Sequence, residues 1–114
     1  MSLEYAADHL IDAVRSLAAS ERPLPERLQS AWDEHVERIW QQPCLTAELL
    51  REFRDFWFRY TAQSDDPRST KLGNLSGPEL VQAVGELVAL SIRTSVAAAN
   101  ATADEKLATL ADLA

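Results

Sequence analysis

The sequence predicts an all-α protein, and three observations carry that prediction. Apolar residues recur at three- and four-residue spacing almost throughout, and the β-branched alternation of strands is absent. The chain holds only three glycines. Its 114 residues fit one domain, 1–114, long enough to bury a core without disulfide or metal. The expected architecture is a compact four-helix bundle-like domain with an additional short C-terminal helix.

The first helix, about 3–19, places Leu3, Ala7, Leu10, Val14 and Leu17 on one stripe, with Asp8, Asp12 and Arg15 away from it. Pro23 and Pro25 break the chain, and Pro25 suits the first turn of a second helix, whose N–H would be unpaired anyway. That helix, about 25–42, carries Leu28, Trp32, Val36 and Ile39 on its buried face and stops before Pro43. Thr46 is the expected N-cap of a third helix, about 46–61, with Leu45 and Leu50 spaced as a hydrophobic staple. The polar, aperiodic stretch 62–76 is a loop. In "SGPE", Ser76 and Glu79 form a capping box with Pro78 in the first turn, which starts a fourth helix, about 77–100. A second such box, "TADE" at 102–105, predicts a break and a terminal helix, about 103–113, with Leu107, Leu110 and Leu113.

"FRDFWFRY", residues 53–60, holds five of the chain's eight aromatic residues. At about 100° per residue, Leu49, Leu50, Phe53, Phe56, Trp57 and Tyr60 fall on one arc and belong to the core. Phe58 lies about 140° from Phe53, beside Arg51, Arg54 and Asp55, and is a candidate interface residue. The fourth helix has an unusually wide apolar arc: Leu80, Val81, Val84, Leu87, Val88, Leu90 and Ile92 leave only Gln82, Glu86 and Arg93 as a polar strip. Such a helix needs cover on nearly all sides, from the loop and tail or from a second chain. Gly85 and Ala89, four apart, would admit another helix closely. These features point to a homodimer with Phe58, Gly85, Ala89 and Ile92 at its interface.

Chemistry is less well marked. His35 falls among Leu28, Trp32 and Ile39, where a buried imidazole needs a hydrogen-bond partner; His9 falls on the polar side of its helix beside Asp8 and Asp12. Trp32, His35, Trp40 and Tyr60 could line an interhelical pocket. The Glu-x-x-His pairs of di-metal bundles are missing, since Ala6 and Trp32 stand three residues before the two histidines, so no metal is expected. Asp33, Glu34 and Glu37 fit a solvated helix face. There is no nucleophile elbow, phosphate loop, dinucleotide fingerprint or zinc-spaced cysteine set, and no cofactor is expected. Arg68 and Lys71, with Ser76 at the start of the fourth helix, form a candidate anion-binding group, although Asp65 and Asp66 oppose it.

A net charge of -7 disfavours nucleic acid and anionic membranes. No stretch approaches roughly 18 consecutive apolar residues, and "MSLEYAADHLIDAV" has no basic region leading into an apolar one, so the expected location is cytoplasmic. The lone Cys44 agrees with a reducing compartment and fits a small apolar linker residue. Nine arginines against two lysines, with eighteen alanines, suggest a GC-rich bacterial genome. The expected function is a non-enzymatic interaction protein, an adaptor, regulator or inhibitor of a protein partner, acting as a homodimer. The competing class is a small-molecule-binding protein or enzyme with an aromatic pocket around His35. A filled centre favours the first and a cavity containing His35 the second.

Overall fold

The structure, a computed structural model, describes residues 3–19, 21–61, 72 and 75–113. It is an all-α domain made of α1 (Leu3–Ala19), α2 (Leu24–Ala31), a π turn (Trp32–Val36), α3 (Glu37–Gln41), α4 (Ala47–Tyr60) and α5 (Gly77–Leu113). α2, the π turn and α3 follow one another without a break and act as a single rod.

α1 buries Ala6, Ala7, Leu10, Ala13 and Leu17 and packs mainly on α5. The two run antiparallel, because Thr102 Oγ1 near the far end of α5 lies 3.0 Å from Glu4 Oε1. α4 is antiparallel to α5 as well: Arg59 pairs with Glu86, and Arg93 Nη1 lies 3.2 Å from Glu52 Oε1. The helix ends are satisfied as their sequences require. Arg27 Nη1 donates to the Leu17 carbonyl at 2.8 Å, covering one of the open carbonyls at the end of α1. Thr46 Oγ1 accepts from Leu49 N at 3.4 Å. The capping box of α5 is closed in both directions, Glu79 N donating to Ser76 Oγ and Ser76 N to Glu79 Oε1, each at 3.3 Å.

Trp57 is the centre of the core. It stacks on Trp32 at 4.9 Å between ring centroids and on Trp40 at 4.6 Å, with Phe53 at 6.3 Å. Trp32, Trp57, Phe53 and Phe56 are all at most 2% exposed, and each favourable ring pair adds about 0.5–1.5 kcal/mol beyond the area it buries. Leu72, from the connection between α4 and α5, also joins this cluster.

Two features depart from the sequence expectation. The second capping box does not form, so the expected terminal helix 103–113 is the unbroken continuation of α5. Thr102 stays helical: its hydroxyl lies 3.1 Å from the Ala98 carbonyl and 3.0 Å from Glu4, and shares its one hydrogen between them instead of capping a new helix. The second departure is the π turn, where the N–H of Glu37 reaches back five residues to the Trp32 carbonyl. Leu28, Ala31, Trp32, Val36 and Ile39 keep the buried face, while His35 is only half-buried and sits at its edge.

A helix of 37 residues is about 55 Å long at about 1.5 Å per residue, close to the 58 Å longest dimension of the molecule. Both neighbours of α5 are shorter. The start of α1 lies beside Thr102 and the start of α4 beside Asn100, so the last three turns of α5 run beyond them.

Thr94 is fully buried on the inner face of α5, and its hydroxyl has no hydrogen-bond partner among the described residues. Replacing it by the similarly shaped valine removes that unsatisfied group, so Thr94→Val is expected to raise stability by about 1 kcal/mol. Urea denaturation monitored by circular dichroism checks this; a lower midpoint would show that the hydroxyl is satisfied in solution.

Candidate functional site

α5 has two apolar faces. One, with Leu80, Ala83, Leu87, Leu90 and Ala98, is buried against the rest of the domain. The other is exposed: Val81 is 67% accessible, Ile92 58%, Val96 54%, Leu107 64% and Leu110 62%. At about 100° per residue these five side chains fall within an arc of about 80°, on the side of α5 facing away from the core. Gly85, Ala89, Ala99 and Ala103 fall in the same arc, so large and small residues share one stripe along the helix.

Beside this stripe, α4 and α5 enclose an open groove of about 440 Å³, with Glu52, Phe56 and Arg59 on one wall and Gly85, Glu86, Ala89 and Arg93 on the other. A second depression of about 340 Å³ continues it toward the start of α4, between Thr46 and Leu49 on one side and Ile92, Val96 and Asn100 on the other. The Glu52–Arg93 pair borders both. Among the described residues, a Cβ built on Gly85 would meet nothing within 4 Å, so none of their packing requires the glycine. Farther along, the buried Tyr60 hydroxyl shares a hydrogen bond with Glu86, the partner of Arg59. Burial, that hydrogen bond and the carboxylate's charge push the phenol from 10.0 up to about 12. The second carboxylate oxygens of Glu52 and Glu86 are buried without a hydrogen bond among the described residues.

Of the four interface residues expected from sequence, the structure brings three together. Gly85 and Ala89 line the groove and Ile92 its continuation. Phe58 is exposed, at 62%, but stands elsewhere, its ring edge-on to Trp40 at 5.4 Å on the α3 side of α4. The sequence reading missed Val96 because its apolar arc stopped at Ile92, and Leu107 and Leu110 because it broke α5 at Thr102. Had the stripe been continued at the same period through the alanine-rich stretch, it would have found them.

The aromatic pocket residues are arranged differently from a ligand site. Trp32 and Trp40 both stack on Trp57, and Tyr60 lies edge-on to Phe56 at 5.3 Å, so neighbouring rings take up the contacts of these side chains. His35 faces another way, its Nδ1 3.3 Å from Nδ1 of His9. One nitrogen must donate and the other accept, which ties the tautomers of the two rings together. His9, expected among solvated aspartates, is therefore half-buried, with Tyr5 edge-on at 4.5 Å. Burial lowers its pKa below 6.5, His35 and Arg38 lower it further, and Asp12 and Asp8 oppose the shift. A polar cleft of about 330 Å³ lies on this side, between Tyr5, Asp33, Glu37, Arg38 and Gln41.

In the candidate anion group, Arg68 and Lys71 lie outside the described residues. Ser76 is engaged in the cap, and Glu79 brings a carboxylate to the helix end that an anion would need. Among the described residues no group of three or more His, Cys, Asp or Glu side chains is placed to hold a metal ion.

Two pH dependences follow from these contacts. The fold favours neutral His9, so the unfolded chain takes up its proton first; stability is expected to fall as pH drops below about 6.5, and His9→Gln to flatten that slope in urea midpoints. The fold likewise favours neutral Tyr60, and the unfolded chain ionises first. Stability is then lost as pH rises from 10.0 to about 12, a loss that Tyr60→Phe should reduce in the same measurement. Compared with known protein families, curated proteins and solved structures, the chain matches none.

Proposed function

We propose that this chain is a non-enzymatic helical interaction protein, an adaptor, regulator or inhibitor that works through the exposed side of α5 and acts as a homodimer. The observation that carries the reading is the second apolar face of α5, with Val81, Ile92, Val96, Leu107 and Leu110 each more than half accessible. Single exposed apolar residues are ordinary, but a stripe continuing along one helix and bordered by a groove marks a contact surface. The candidate pocket residues Trp32, Trp40 and Tyr60 are instead engaged with neighbouring rings, which supports an interaction role over a ligand-binding one.

A bilayer is the other apolar environment such a helix can meet. Gly77–Asp104 is long and apolar enough to cross a membrane by length and composition, with a mean hydropathy of 1.3 in its best window. The charge arrangement supports a protein contact instead. Glu86 and Arg93 lie in the middle of that segment and each pairs with α4, and the net charge of -7 repels anionic headgroups.

Light scattering after size exclusion tests the reading. The expected mass is near twice 12.7 kDa, falling to that of one chain for Ile92→Glu combined with Val96→Glu while the helical circular dichroism signal and melting are retained. An unchanged association state in that variant, with the fold intact, would remove this surface from the function.

A further inference from the structure

We propose that the occupant of the α4–α5 groove is the overhanging end of α5 from a second copy of this chain, in an antiparallel, two-fold symmetric pair. The inference rests on the homodimer reading and adds its geometry. Its starting point is that one chain has both halves of a contact: Leu107 and Leu110, exposed on turns that neither α1 nor α4 reaches, and a groove with empty space over Gly85.

The exposed stripe is complementary to its own reverse. Turned end to end about a point between Ala97 and Ala98, α5 sets the second copy's Leu110 level with Gly85 and brings its Leu107 within one residue of Ala89. The same operation sets Ile92 against Ala103 and Val96 against Ala99. Every large residue then meets a small one, which lets two helices approach closely while the leucines fill the space left by the glycine and alanine. A parallel pair in register would instead place Leu107 on Leu107 and leave the two glycines facing each other.

Charge agrees with this register. In an antiparallel pair the same flank of each helix meets its counterpart, and the second copy's exposed Asp104 lies on that flank two residues, about 3 Å along the axis, from the level of Arg93, within reach of its long side chain. Arg93 is already held by Glu52 at 3.2 Å, so the new pair would extend an existing one. Two-fold symmetry makes the contact twice. The area is also adequate: about 40 Å of shared helix with a contact strip about 12 Å wide covers about 500 Å² per copy, or about 1,000 Å² in all before the α4 walls are added, the lower bound for a specific interface.

Cysteine cross-linking in a Cys44→Ser background reads the register directly. The double variant Ala89→Cys, Leu107→Cys is expected to oxidise to a covalent dimer, whereas neither single variant does, because each site faces the other and not itself. A size swap supplies a second readout. Leu107→Ala and Ala89→Leu should each weaken dimerisation at least tenfold, and the two together should recover most of it. Covalent dimers from Leu107→Cys alone would overturn the antiparallel arrangement. A dimer that survives Leu107→Glu with Leu110→Glu unchanged would also overturn it, while leaving the homodimer reading in place. A chain that stays monomeric up to millimolar concentration, or that floats with phosphatidylcholine vesicles as a monomer, would overturn both the arrangement and the homodimer.

Discussion

α5 is longer than the elements available to cover it. At about 1.5 Å per residue, α1 and α4 offer about 25 and about 21 Å of helix against the roughly 55 Å of α5, and both run antiparallel along its first two thirds. Most of the architecture follows from this mismatch. Where α1 lies on α5, the inner face is dry enough to bury Thr94 completely. Where α4 lies beside it, the two helices share the core on their inner sides, and ion pairs bridge an open groove on the outer side. Past both, the helix continues with leucines on its outer side. A helix-end signal at Thr102 would have removed the problem, but the hydroxyl there bonds back along the helix and across to Glu4.

The parts of the fold that were legible in the sequence are those where local chemistry and tertiary packing ask for the same thing. Thr46 caps α4 and Ser76 with Glu79 caps α5 because each pairs open N–H groups within a few residues, whatever the rest of the chain does. The aromatic arc of α4 was readable for a similar reason. Phe53, Phe56, Trp57 and Tyr60 share one side of the helix at an ordinary period, and only a core can take so much apolar surface together. Phe58, off that arc, is exposed as its position requires.

What was not legible depends on choices between nearly equal local options. "TADE" satisfies the rules for a helix start, yet helix on both sides of it is rich in alanine, and continuing costs less than breaking and nucleating again. The π turn has no breaker or cap to announce it. It consists of one hydrogen bond taken from the fifth preceding carbonyl instead of the fourth, and its main consequence, the His9–His35 contact, joins residues 26 apart in sequence. A wheel drawn at constant angle across Trp32–Val36 puts His35 on the buried face instead of at its edge.

The two titrating contacts hold different seams of the molecule. The His9–His35 contact fastens α1 to the π turn, and the Tyr60–Glu86–Arg59 cluster fastens α4 to α5. Mild acid, still above the usual carboxylate range, therefore weakens the first seam and leaves the second, while alkali does the reverse. Partly opened forms at the two extremes would differ in which helix has lifted: α1 from the α2–α3 rod in acid, α4 from α5 in alkali. Amide hydrogen exchange would then report two distinct local openings at opposite ends of the pH range rather than one common loosening.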